Sequence, residues 1–182
     1  MRWPLVEGPI IRSGKYPEYF PDKARGIVRQ AEGLIMANTV SDKKRVLFIC
    51  THNAARSQMA EGVLNALHGD RFDAFSAGTD PGMVNPFAVK VMSEIGLDIS
   101  HHRSKGLAEF SNQNFDYVIT VCDHARESCP IFLGGGKHLH KSFADPSALT
   151  GSDEDIVDGF RKIRDEIKAW IDRELLTDLR GK

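Results

Sequence analysis

Val46-Leu47-Phe48-Ile49-Cys50-Thr51-His52-Asn53-Ala54-Ala55-Arg56-Ser57 is the stretch whose reading decides the fold of this chain. Its first four residues are all apolar and read as a buried strand. The polar turn from Cys50 to Arg56 then enters a helical pattern in which Met59, Val63, Leu64 and Leu67 share one face. Strand, tight turn and helix in immediate succession form the first part of a βα unit.

The same alternation continues outward. Phe72 to Ser76 reads as a second strand, stopped by Gly78 and Pro81. Asn85 can cap a helix that has Pro86 at its first position, Gly96 just past its end and an apolar face of Val89, Met92 and Ile95. Tyr117-Val118-Ile119-Thr120-Val121 is the clearest β sequence, and it ends at Cys122. A shorter strand is expected around Leu139 to Phe143, after the flexible Gly134-Gly135-Gly136. A last helix behind Ser152 aligns Ile156, Phe160, Ile163, Ile167, Trp170 and Ile171. These elements predict an α/β domain over residues 45–176, a four-stranded parallel sheet with helices on both faces. Residues 1–44 read as an N-terminal extension: a loose arm, then one helix with Ile27, Val28, Ala31, Leu34 and Ile35 behind Asp22.

A chain of 182 residues, 41% hydrophobic, suffices for one substantial core. With 24 Lys plus Arg against 25 Asp plus Glu, the net charge of -1 argues against nucleic acid or an anionic membrane as partner, so any anion site must be local. No apolar run approaches the ~20 residues of a membrane span, and the opening residues lack a secretory apolar segment, so a cytoplasmic protein is expected. The three cysteines, an odd number, do not make a closed set of structural bridges.

Cys50 ends a strand, and Arg56 starts a helix six positions later. A tight loop there aims successive backbone N–H groups at one point, and the helix dipole adds partial positive charge. Thr51, His52, Asn53, Ala54, Ala55, Arg56 and Ser57 are therefore expected to cradle a tetrahedral oxyanion, with Arg56 closing it as a bidentate fork. The same field stabilises a thiolate, which marks Cys50 as a nucleophile. Ser57 is expected to donate to that thiolate, and Asn53 to hold the loop in left-handed backbone. His52 belongs to the loop without a catalytic role of its own.

In a parallel sheet the strand ends open on one edge, so Cys122 is expected near Cys50. Cys129 follows seven positions on, and the polar residues between can be mobile enough to let the two thiols meet when needed, which requires Cα atoms within about 7 Å. Two unrelated thiols are the plain alternative; the spacing disfavours zinc. Asp145, before Pro146, is a candidate general acid on a stiffened loop or else a turn-former.

Cys50 through Gly62, Ser76-Ala77-Gly78, Cys122 with Cys129-Pro130, and Asp145-Pro146 together resemble the thioredoxin-coupled arsenate reductases. That family shares its fold with low-molecular-weight protein tyrosine phosphatases. The resemblance spans roughly residues 45 to 173. It implies that Cys50 attacks arsenate held by the loop and Arg56 while Asp145 protonates the departing oxygen. Cys122 then attacks Cys50 and Cys129 attacks Cys122, after which thioredoxin reopens the final disulfide. Arsenate is the implied substrate, with phosphate or sulfate as analogues, and the implied protein is a monomer serving arsenic detoxification without a cofactor. Some relatives bind potassium through residues matching Asn53, Glu61 and Ser76 and an aspartate where this chain has Lys105. A lysine cannot ligate potassium, so no metal site is expected; the ammonium either fills that space or faces solvent. The rival readings are a phosphatase hydrolysing phosphoesters through a Cys50 phosphoenzyme, with no need of Cys122 or Cys129, and a non-catalytic oxyanion-binding module.

Overall fold

Four parallel strands form the sheet of the computed structural model, which describes residues 43–128 and 135–179. They are β1 (Lys44–Cys50), β2 (Phe72–Gly78), β3 (Phe115–Thr120) and β4 (Gly135–His140), in the spatial order β2-β1-β3-β4. The helices are α1 (Arg56–His68), α2 (Pro86–Ser93), α3 (Asp123–Ser128) and α4 (Asp153–Trp170), with a π turn (Ile171–Leu175) leading into α5 (Leu176–Leu179). The expectation of an N-terminal arm and helix lies outside the described residues, apart from Lys43 and Lys44, and Lys44 already opens β1.

The order makes β1 a central strand. Val46, Leu47, Phe48 and Ile49 have no exposed surface, and each large apolar side chain so withdrawn from water contributes about 1.5–3 kcal/mol. From β1 the chain steps to β2 on one side and then crosses back to β3 on the other. Right-handed crossovers running in opposite directions cover both faces of the sheet. At the point of reversal, between the C-terminal ends of β1 and β3, such a sheet opens a crevice.

Helix α1 buries Met59, Val63 and Leu64 as its spacing requires, while Leu67, in the last turn, is exposed. Close approach along this helix needs Gly62, where a Cβ would lie 2.7 Å from Ile99 Cγ2. Helix α4 begins with the expected cap: the Ser152 hydroxyl accepts from Asp155 N–H, and the Asp155 carboxylate accepts from Ser152 N–H in return.

Three local expectations change. In α2, Asn85 caps as expected by accepting from Phe87 N–H, but the buried face is Ala88, Val91 and Met92, with Ile95 beyond the helix end and exposed. Strand β4 starts four residues earlier than its apolar residues suggested and incorporates Gly135 and Gly136. It is an edge strand with its described side chains largely exposed, so it carries little apolar signal; and Gly136 packs where a Cβ would meet the Asp116 carbonyl at 2.9 Å. The residues after Cys122, read as a mobile polar segment, form the short helix α3, whose Ala125 is fully buried.

Candidate active site

Asn53 organises the loop between β1 and α1. Its backbone is left-handed at φ 47°, as its side chain tolerates, and its residue is fully buried. Its carboxamide oxygen accepts from the Lys105 backbone N–H at 2.7 Å and from Gln58 Nε2 at 2.9 Å. With the oxygen so committed, Asn53 Nδ2 donates to Ser57 Oγ and to Ser76 Oγ, each at 2.8 Å. Ser57 thus accepts from Asn53 and directs its own hydrogen at Cys50 Sγ, 2.9 Å away. The Asn53 backbone N–H also reaches that sulfur, at 3.1 Å. Two donors therefore converge on a sulfur that is 3% exposed, an arrangement that solvates a thiolate.

Gln58 and His102 complete the frame, and the sequence reading missed both. Gln58 Nε2 also donates to the carbonyls of Asn53 and Arg103, leaving its Oε1 to accept from His102 Nδ1 at 2.9 Å. Burial pushes His102 below its ordinary pKa against the opposing pull of Glu61, consistent with a neutral ring protonated at Nδ1. A polar residue between Ser57 and Met59, on a helix face turned inward, was the available signal for Gln58.

Beneath the loop, the Ser76 hydroxyl donates to Glu61 in a very short hydrogen bond. Lys105 Nζ stands 3.0 and 3.3 Å from the two Glu61 oxygens, with side-chain exposures of 14% for Lys105 and 11% for Glu61. Of the two placements expected for Lys105, the inward one is found, with its ammonium beside the Glu61 carboxylate. These residues do not fit a potassium ion. Gly78 closes the packing, since a Cβ there would lie 2.7 Å from the Thr51 carbonyl.

Helix α1 starts at Arg56, and Met59 N–H, bonded to the Ala55 carbonyl at 2.8 Å, makes the first helical bond. The N–H groups preceding it have no carbonyl one turn back, so the helix presents donors at the loop. Arg56 Nη1 donates to the Phe143 carbonyl at 3.2 Å, and Nη2 lies 3.4 Å from Asp145 Oδ1. Asp145 is extended, as its following proline demands, and accepts from Ser147 N–H at 3.0 Å. Partial burial pushes the Asp145 carboxyl up, but the Ser147 bonds, the Arg56 guanidinium and His52 together hold it below the ordinary carboxylate range. His52 is a rim residue, with Nδ1 donating to the Asp80 carbonyl at 3.1 Å.

Cys122 follows β3 on the strand next to β1. Ile49 pairs with Thr120, and Val121 N–H donates to the Ile49 carbonyl at 2.8 Å, so the two thiol residues end neighbouring strands one step out of register. Cys122 Sγ lies 3.5 Å from Thr51 Oγ1, and both cysteines are free. A cavity of about 400 Å³ brings Thr51, Arg56, Cys122 and Asp145 together; Cys50 is not among its lining residues, but its neighbour Thr51 is. Cys129 lies outside the described residues.

A strand-end cysteine, a loop whose Asn53 N–H reaches that sulfur, an arginine six positions on and a loop aspartate beside it make up the arrangement. The chain belongs to the low molecular weight phosphotyrosine protein phosphatase family, whose profile matches residues 45–182. It is 44% identical over 126 residues to an arsenate reductase of Halalkalibacterium halodurans, covering 69% of this chain and 91% of that protein. Among solved structures, an arsenate reductase in the phosphate binding state superposes with a TM-score of 0.63 at 27% identity, over 74% of this chain and 98% of that one. The thioredoxin-dependent arsenate reductase of Corynebacterium glutamicum superposes with a TM-score of 0.58 at 31% identity, over 86% of this chain and 73% of that one. Among the described residues, no helix is long and apolar enough to cross a membrane.

Proposed function

We propose that this chain reduces arsenate to arsenite through three thiols acting in series, is regenerated by thioredoxin, and serves arsenic detoxification. The observation that carries the reading is the 3.5 Å approach of the Cys122 thiol to Thr51, the residue after Cys50, in a cavity shared with Arg56 and Asp145. A phosphatase of this fold has no use for a second thiol at that point.

Arsenate, or phosphate or sulfate as an analogue, settles on the donors of residues 51–57 and on the Arg56 fork. It takes Arg56 from Asp145 and brings negative charge beside it, and both changes raise the carboxyl's proton affinity. Cys50 attacks arsenic(V), and Asp145 gives its proton to the departing oxygen, which leaves as water. Cys122 then attacks the Cys50 sulfur. The sulfur–arsenic bond breaks toward arsenic, arsenite departs with the electron pair, and a Cys50–Cys122 disulfide remains. Cys129 attacks Cys122 and expels the Cys50 thiolate, and the two thiols of thioredoxin reduce the Cys122–Cys129 bond. The six residues between these two thiols are helix α3, in which the chain rises about 1.5 Å per residue, whereas a disulfide needs Cα atoms within about 7 Å, so we infer that the third attack unwinds α3. No step runs through a metal or cofactor. The chemistry is assigned to residues 45–176 of a cytoplasmic monomer, with residues 1–44 a non-catalytic extension.

The test is arsenate turnover with thioredoxin, thioredoxin reductase and NADPH, run beside glutathione with glutaredoxin. Cys122→Ser and Cys129→Ser should each abolish multiple turnover while p-nitrophenyl phosphate hydrolysis, which needs neither thiol, persists. Arsenate left unchanged by the fully reduced protein would refute the reading.

A further inference from the structure

The residue after Cys122 is tied to the loop that carries Asp145. Asp123 Oδ2 accepts from the Ser142 hydroxyl at 2.7 Å, and Oδ1 accepts from His140 Nε2 at 3.1 Å. The other ring nitrogen of His140 meets Thr120 Oγ1 at 2.8 Å, on the strand that leads to Cys122. Because Nε2 must carry a hydrogen to reach the carboxylate, a neutral His140 accepts from the Thr120 hydroxyl at Nδ1, and a protonated one donates to it. Either state closes the ring of contacts. The Ser142 and His140 bonds also hold the Asp123 carboxyl below its ordinary range.

This clasp completes a ladder. Lys141 N–H donates to the Thr120 carbonyl at 3.0 Å and Phe143 N–H to the Val121 carbonyl at 3.4 Å, while Arg56 holds the Phe143 carbonyl from the other side. Those backbone bonds fix the chain up to the residue before Cys122. The Asp123 carboxylate carries the tie across to its far side, at the first residue of α3. We propose that Asp123, through Ser142 and His140, is a positioning residue that keeps the Cys122 thiol turned toward Thr51 and the Cys50 loop.

The inference rests on the relay reading for its purpose, but its test contains neither arsenate nor thioredoxin. Trypsin separates the three thiols, since Cys50 falls in the peptide 46–56, Cys122 in 106–126 and Cys129 in 127–137. Alkylation of the full reduced chain by iodoacetamide, quenched over time and resolved by peptide mass spectrometry, therefore gives a rate for each. The clasp is largely exposed, with the Asp123 side chain 71% accessible, so its contribution is at the scale of a partly screened charge pair. Asp123→Ala and Ser142→Ala should each raise the Cys122 rate relative to the Cys50 rate by about three- to fivefold. The double variant should exceed Asp123→Ala by little, because both changes remove one contact. Glu127→Gln, which removes the same charge from the same helix, should leave the ratio at the wild-type value. General loosening would accelerate both thiols together. Equal acceleration, or a ratio unchanged in Asp123→Ala, would overturn the proposal. A wild-type protein with the expected ratios that failed to reduce arsenate would instead sink the relay reading and leave the clasp standing.

Discussion

The loop between β1 and α1 and the segment that carries the second thiol are built on opposite plans. Around Asn53 the polar groups are withdrawn from water and joined in a directed set of bonds, in which each donor is committed and Ser57 has one hydrogen left for Cys50. After Cys122 there is a six-residue helix held at its start by an exposed carboxylate. The difference matches the roles proposed for the two regions. Stabilising charge on an oxyanion rewards donors that never reorganise, whereas passing a disulfide along the chain requires thiols to change partners. A single domain can contain both because β1 and β3 pair side by side in the sheet, and the two regions begin only beyond their ends.

Removing the acid should give the largest effect. Asp145→Asn is expected to lower both arsenate reduction and p-nitrophenyl phosphate hydrolysis by about a hundredfold or more, as loss of a general acid does. In the free chain Asp145 sits below its ordinary pKa and is ionised at neutral pH. Phosphate binding should therefore take up protons, most strongly between the free and bound pKa values, and the uptake should vanish in Asp145→Asn. Calorimetry in buffers of different ionisation enthalpy measures this directly.

Next in size is a change to the rigid half. Asn53→Ala removes the bonds to Ser57, Ser76, Gln58 and Lys105 and puts alanine at positive φ, so it should cost about 3 kcal/mol of stability by urea unfolding. Both activities should fall together, because Cys50 loses its oriented donor. A variant that lost arsenate reduction while keeping phosphoester hydrolysis would break the distinction drawn between the two regions.

A smaller effect, of the opposite sign, is expected in the other half. Ala125→Gly weakens α3 by about 1 kcal/mol and so favours the unwound, oxidised form. The Cys122–Cys129 couple should become more reducing by about 20 mV in a thioredoxin equilibration. Smallest of all is the effect of the cation: with Lys105 beside Glu61, the melting temperature and arsenate turnover should be the same in KCl and NaCl.

Much of this architecture is legible in the sequence. Val46 to Ile49 could hardly be anything but a buried strand, and Asn85-Pro86 and Ser152 announced their helices through local hydrogen bonds that involve only neighbouring residues. Strand β4 was misjudged because an edge strand buries little, so its glycines looked like a break. The buried face of α2 differs from the expected one because the helix packs on α4, which meets it through Phe87 on Phe160 and Arg164 on the Val91 carbonyl, a partner about 70 residues away that periodicity cannot identify.

The site divides in the same way. Cys50, Arg56, Asn53 and Ser57 lie within one turn of chain, so their spacing alone determined that they share a loop, and the end of the strongest strand placed Cys122 on the same edge. Whether Lys105 turned inward, which carbonyl Gln58 and His102 would serve, and that Asp123 would meet Ser142 and His140 were decided only in three dimensions. Apart from the bond of Gln58 to the nearby Asn53 carbonyl, these contacts join residues 17 to 52 positions apart, and a hydrogen bond across such a distance depends on side-chain direction and strand order, which no local pattern encodes.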